Sequence, residues 1–185
     1  MASCSQEASM KFETVRSSKV FKGRAIKVWV DEVRYPDGRE VRIEVIHHPG
    51  AVTILPIDEE GFIWFVRQYR HPAGQLLLEL PAGTLEPGEP PKITAAREIR
   101  EEIGMRAEKL TLLGSFFVAP GYSDEYMHTY LAEGLSHDPL ELDAGEFLNV
   151  EKYSIKETYA IFDRGEIIDA KTIAVLAIAR QRLES

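Results

Sequence analysis

Between Gly83 and Met105 the chain reads GTLEPGEPPKITAAREIREEIGM, and this stretch limits its folding options more than any other. Pro91 suits the first position of a helix and Gly104 the residue just past its end, so a helix is expected from about Pro91 to Ile103. On that helix Glu98, Glu101 and Glu102 fall within an arc of roughly 100°, because residues three and four apart are surface neighbours. Stacked carboxylates repel one another, and an ordinary solvated face would interleave them with lysines. A cation seated among them removes the conflict. Ile93, Ala96, Ile99 and Ile103 read as the apolar face, opposite the acids, pinning the helix to a core by one side.

The cation must be held by oxygen. Cys4 is the only cysteine, which excludes an internal disulfide and the paired thiolates of a zinc site. His47, His48, His71, His128 and His137 have neither HxxxH nor HExxH spacing, so they read as surface or substrate-side groups. A net charge of -8 argues against the basic surface that a nucleic-acid partner requires. No run approaches the roughly 18 apolar residues of a membrane span, and residues 1–10 lack the apolar core of a signal peptide. A cytoplasmic location without a membrane partner is expected, with residues 1–10 as a flexible tail.

The 185 residues, 44% hydrophobic, suffice for one well-buried core. From Phe12 to Glu44 the pattern alternates as in a strand, and KVWVDEVRY, the turn Pro36-Asp37-Gly38 and EVRIEVI read as an antiparallel hairpin. The runs Ala51 to Pro56 and Phe62 to Val66 read as strand, turn and strand, buried on both faces. Further strands are expected over Leu110 to Phe117 and Tyr126 to Ala132. Ser154-Ile155-Lys156-Glu157 is a capping box opening a helix that Gly165 closes, and Asp169 caps a last helix running through Arg180. The order of elements predicts an α+β fold with a mixed sheet.

The spacing Gly83-x5-Glu89-x7-Arg97-Glu98-Ile99-x-Glu101-Glu102-x-Gly104-Met105 resembles the Nudix box at every defined position. The resemblance implies a Nudix-type α/β/α sandwich that hydrolyses nucleoside diphosphates linked to another moiety, using Mg2+ or alternatively Mn2+. It further implies Glu98 and Glu102 as principal metal ligands, Glu101 as an additional ligand or water-orienting group, and the backbone carbonyl of Ala82 as a further ligand. Arg97 and Glu89 would orient these acids. One departure stands at the helix start, where the family often has a small polar cap and this chain has Pro90.

Three flanking stretches are similar to the ADP-ribose pyrophosphatase branch of that family: Val66-Arg67-Gln68-Tyr69-Arg70, Leu78-Glu79-Leu80-Pro81-Ala82-Gly83, and Ala119-Pro120-Gly121-Tyr122-Ser123-Asp124-Glu125. By that resemblance Arg70 grips the diphosphate, Glu79 belongs to the substrate site, and Ser123 and Glu125 lie near the terminal ribose. Arg42 and Glu44 occupy positions used around the adenine. For the catalytic base there are two candidates, Glu146 in the loop Leu142 to Phe147, and Glu101 on the helix.

The implied reaction is hydrolysis of ADP-ribose to AMP and ribose 5-phosphate by a homodimer. Residues 11–48 would form an N-terminal β subdomain serving dimerisation and the adenine side, and residues 49–185 the hydrolase domain. Two alternatives stay open: a pyrophosphatase of another nucleotide sugar, such as GDP-mannose, or of a dinucleotide; and a non-catalytic ADP-ribose-binding sensor. The complete set of box acids weighs against the sensor.

Overall fold

In the computed structural model of the chain, which describes residues 11–23, 26–142 and 147–184, the alternating N-terminal segment forms a three-stranded antiparallel sheet. Its strands are β1 (Glu13–Lys22), β2 (Lys27–Arg34) and β3 (Glu40–His47), in that spatial order. β2 and β3 are the expected hairpin, with Gly38 at φ +86° in the turn, a backbone conformation favouring glycine. β1 is an addition to that expectation, joined to β2 by cross-strand contacts that include Lys19 over the Trp29 ring at 4.7 Å. The expected tail over residues 1–10 lies outside the described residues.

The chain divides into two compact units, Met1–His48 with Ala119–Glu125, and Pro49–Val118 with Tyr126–Ser185. The segment Ala119–Glu125 therefore joins the N-terminal sheet, where the sequence reading left it in the second domain. Its backbone runs parallel to the end of β3, with Ile46 N–H donating to Tyr122 O at 2.8 Å and Asp124 N–H to Ile46 O at 3.2 Å. Asp124 secures the join. Its Oδ1 accepts from His48 N–H at 2.7 Å, and its Oδ2 lies 2.5 Å from His47 Nδ1.

The second unit carries two sheets. One has the order β10 (Leu148–Ser154), β5 (Phe62–Arg70), β6 (Gln75–Glu79); the other has the order β7 (Ala82–Thr84), β4 (Ala51–Pro56), β9 (Tyr126–His137), β8 (Met105–Phe117). β4 and β9 run parallel and all other neighbours antiparallel, so the sheet set is mixed, as expected. β4 is buried throughout, in keeping with its unbroken apolar sequence. The expected strand, turn and strand form as β4 and β5, but the two strands enter different sheets. The chain changes sheets at residues 57–62, since both edges of β4 are already occupied by β7 and β9. β6, β7 and β10 were not anticipated, and β8 and β9 extend beyond the expected ranges.

Among the described residues three α-helices cover this unit: α1 (Pro91–Glu102), α2 (Ile155–Asp163) and α3 (Ala170–Leu183). Alternate residues of β4 serve two cores. Val52 and Ile54 pack with Ala95 and Ile99 of α1, whereas Leu55 packs with Tyr159 of α2 and Val175 and Leu176 of α3. Helices thus bury opposite sides of the sheet layer, which is the α/β/α arrangement. The capping box of α2 forms as expected, with Glu157 N–H donating to Ser154 Oγ, and Asp169 caps α3 through Thr172 N–H. Among the described residues no helix is long and apolar enough to cross a membrane.

Candidate active site

α1 starts at Pro91 although Pro90, its N-cap, supplies no side-chain acceptor. The carbonyl of Pro90 accepts from Ile93 N–H at 2.8 Å, so the unusual cap leaves the helix start where the sequence put it. Gly104, at φ +69°, ends the helix as expected.

The buried face of α1 differs from the expected one. Thr94, Ala95, Glu98, Ile99 and Glu102 are buried, whereas Ile93 is 57% exposed and Ala96 is only half-buried. Residues 95, 98, 99 and 102 follow the i, i+3, i+4, i+7 spacing of a single helix face. The acids therefore share the inward face with Ala95 and Ile99, and Ile93 takes the outward one. The expected apolar face opposite the acids fails at Ile93 and Ala96, because the carboxylates and part of the apolar stripe share one buried face.

Glu98 and Glu102 reach the short strand β7. Glu102 Oε2 accepts from Ala82 N–H at 3.0 Å. Glu98 lies so close against Gly83 that a Cβ there would stand 1.9 Å from its carboxyl carbon. Gly83 has no positive φ to require glycine; close approach of the carboxylate does. At 9% and 5% exposure, the two carboxylates thus meet the backbone of β7 in a largely dry setting.

Arg97 organises the outer edge of this cluster. Its Nη1 donates to Glu98 Oε1 and to Glu101 Oε2, both at 2.8 Å, and its Nη2 lies 3.3 Å from Glu89 Oε2. Burial works against the cation, but the hydrogen bond to Glu89 and the charges of Glu98 and Glu101 outweigh it and raise its pKa. The hydrogen bond from Arg97 in turn lowers the pKa of Glu89. The expected association of Glu89, Arg97 and the box acids is therefore present. Glu101 faces Arg97, and among the described residues no three acidic or imidazole side chains converge to enclose an ion. The donors fit a hard divalent cation in kind: two buried carboxylates, both oxygen ligands, set against a backbone that leaves no room for a side chain at position 83.

Arg70, at the end of β5, donates from Nε to Glu79 Oε1 at 2.8 Å and from Nη2 to Glu79 Oε2 at 2.7 Å. Bidentate pairing to Glu79 is the main cause of its raised pKa, and the charge of Glu102 adds to it. Glu79 is 1% exposed. Burial alone would raise its pKa, yet hydrogen bonds and charge from Arg70 and Lys171 hold it below the ordinary carboxylate value. Lys171 was not anticipated at the site; a lysine in the first turn of α3, against the helix dipole, was the available signal.

The structure thus brings together Arg70, Glu79, Ala82, Glu89, Arg97, Glu98, Glu101 and Glu102 within the second unit. Arg42, Glu44, Ser123 and Glu125 belong to the first unit. There Arg42 and Glu44 are exposed on one face of β3, and Ser123 Oγ accepts from Glu125 N–H at 3.2 Å. Glu146 lies outside the described residues.

A family profile of the NUDIX domain matches residues 47–176. The chain is 39% identical over 166 residues to an ADP-ribose pyrophosphatase of Bacillus subtilis, covering 89% of this chain and 90% of the relative. Similar identity, 41% over 181 residues, relates it to an ADP-ribose pyrophosphatase of Mycobacterium tuberculosis, covering 92% and 84%. A methanol dehydrogenase activator of Bacillus methanolicus is 39% identical over 87% of this chain and 88% of its own. In three dimensions the chain matches the crystal structure of an ADP compounds hydrolase with a TM-score of 0.85 at 24% identity, covering 94% of this chain and 95% of that one, a likeness of fold. Members of this family generally use divalent metal ions. With its box acids gathered on α1 and the profile spanning most of its length, the chain belongs to the Nudix family.

Proposed function

We propose that this protein hydrolyses ADP-ribose to AMP and ribose 5-phosphate with Mg2+, Mn2+ being the alternative ion. The observation that carries the reading is the pair of buried carboxylates, Glu98 and Glu102, set against Ala82 and Gly83 with the Arg70 guanidinium in reach of Glu102's charge. Glu98, Glu102 and the backbone carbonyl of Ala82 would hold the metal, which would neutralise diphosphate oxygens and make water more acidic. Arg97 keeps the carboxylates aligned through its bonds to Glu98 and Glu101. Arg70 grips the diphosphate with donors that Glu79 does not occupy. Water forms the new bond to phosphorus, the bridging P–O bond breaks toward the departing phosphate, and Glu101 or Glu146 takes the proton.

Two relatives at 39–41% identity bear the ADP-ribose pyrophosphatase name, and the loop from Ala119 to Glu125 resembles that branch. On this reading Ser123 and Glu125 serve the ribose, and Arg42 and Glu44 the adenine. A phosphate-coupled assay with Mg2+ across ADP-ribose, GDP-mannose, NADH and a diadenosine polyphosphate tests it. ADP-ribose should rank among the best substrates. Preference for GDP-mannose or a dinucleotide would overturn the specificity, and no turnover of any would favour the sensor.

The active assembly is proposed to be a homodimer formed through the N-terminal unit. Phe12, Val15, Val20, Phe21 and Ile26 are large apolar residues there that stand 42–59% exposed in the single chain. Light scattering should give twice the chain mass, and a monomer at assay concentration would contradict the assignment.

A further inference from the structure

Lys171 occupies a position that is unfavourable to a lysine on two counts. It is the second residue of α3, at the positive end of the helix dipole, and its side chain is only 12% exposed. Its partners resolve both. Its Nζ donates to Glu79 Oε2 and lies 3.0 Å from Asp169 Oδ1. Asp169 is also engaged by the helix end, its Oδ2 accepting from Thr172 N–H at 3.0 Å and from Thr172 Oγ1 at 2.6 Å. Thr172 Oγ1 in turn accepts from Leu80 N–H at 2.9 Å, so the first turn of α3 is tied to the end of β6 at two successive residues, 79 and 80.

Glu79 Oε2 thus accepts from two cations, Lys171 and Arg70. Its Oε1 is held by Arg70 and its Oε2 by both cations, while Asp169 balances Lys171, so the four groups carry no net charge; the member facing outward is Arg70, whose side chain is 41% exposed. Arg70 Nη1 makes no hydrogen bond among the described residues, because Nε and Nη2 alone engage Glu79.

We propose that Lys171 is a positioning residue for the diphosphate. It fixes the Glu79 carboxylate, which holds the Arg70 guanidinium in one orientation through Nε and Nη2 and leaves Nη1 for the diphosphate. The inference rests on the reading of Arg70 as the diphosphate-binding group. Lys171 itself stays behind Glu79 and Asp169 and does not touch substrate.

The test compares Lys171→Met and Lys171→Arg with the wild type by two readouts. The first is the split between KM and kcat for ADP-ribose. The second is the Nε–H nuclear magnetic resonance signal of Arg70, assigned by its loss in Arg70→Lys. Lys171→Met should raise KM about tenfold while kcat stays within about threefold, since the lost interaction serves ground state and transition state alike. Its Arg70 signal should broaden or exchange with solvent at least about tenfold faster. Lys171→Arg should restore both. A Lys171→Met protein that loses only thermal stability, with KM and the Arg70 signal as in the wild type, would reduce the lysine to a staple between α3 and β6 and overturn the proposal. If wild-type protein does not turn over ADP-ribose, the functional reading fails, while the Arg70 signal still decides the positioning role. Should Lys171→Met not fold, the double variant Asp169→Asn/Lys171→Met removes two opposite charges together and leaves Glu79 in place against Arg70. A broadened Arg70 signal there supports the proposal, and an unchanged one overturns it.

Discussion

Glu102→Gln is expected to lower kcat for ADP-ribose by a thousandfold or more, about 4 kcal/mol of transition-state stabilisation as an order of magnitude. Glutamine has nearly the same shape and retains an oxygen that can accept from Ala82 N–H, as Glu102 Oε2 does. Local folding should therefore persist. What disappears is a negative charge, in a side chain only 5% exposed that sits beside a second buried carboxylate, Glu98. Removing one of two neighbouring buried acids relieves repulsion in the metal-free protein, so the thermal midpoint should hold or rise while activity collapses. The divergence between stability and rate is the signature of a ligand, as opposed to a packing residue. Steady-state kinetics at saturating Mg2+ and thermal unfolding of the metal-free protein read both quantities. A variant with near-normal kcat would remove Glu102 from the metal site.

Gly83→Ala should be the most damaging single-methyl change in the chain, costing about a hundredfold or more in activity with little loss of stability. The added Cβ would stand 1.9 Å from the carboxyl carbon and Oε1 of Glu98, and 2.4 Å from its Oε2. No real contact is that short, so one partner must move. Backbone at 83 is paired with Val52 in the β4–β7 ladder, whereas the Glu98 carboxylate is the end of a flexible side chain. The carboxylate yields, and the fold survives. Because position 83 has no positive φ, alanine brings no backbone strain of its own, and the effect isolates the displacement of Glu98. Mn2+ titration of the metal-free variant by electron paramagnetic resonance should show weaker binding than the wild type. Wild-type affinity and rate in Gly83→Ala would mean that Glu98 is not needed where it now lies.

Much of this site was legible because its chemistry is local. The acids, Arg97 and the bounding glycines lie on one continuous segment, and a fixed helical period places them relative to one another. The capping box at Ser154 and the cap at Asp169 were readable for the same reason. The period alone did not reveal which way the helix faced. Ile93 has the spacing of a core residue and is exposed, while Glu98 and Glu102 are buried, because polarity and burial part company where acids face a site. Pairings distant in sequence left still less trace. Nothing in the run Ala51 to Val66 indicates that β4 and β5 enter different sheets, since that depends on partners supplied by β7, β9, β6 and β10. Likewise the bridge between Ile46 and Ser123 joins positions separated by most of the hydrolase core, so the allegiance of Ala119–Glu125 to the N-terminal sheet had no local signature. Lys171 was visible as an oddity, a lysine at the start of a helix, but its partner Glu79 came from a strand unrelated in pattern.

The central proposal is one reaction at one cluster: ADP-ribose cleaved at its diphosphate with a divalent metal for which Glu98 and Glu102 are the proposed ligands. The most direct measurement follows AMP formation from ADP-ribose by chromatography, first with Mg2+, then after chelation with EDTA, then after Mg2+ is restored in excess. AMP and ribose 5-phosphate should appear in equal amounts, stop on chelation and resume on restoration. Sustained AMP release in EDTA, or none at any Mg2+ concentration, would contradict the account.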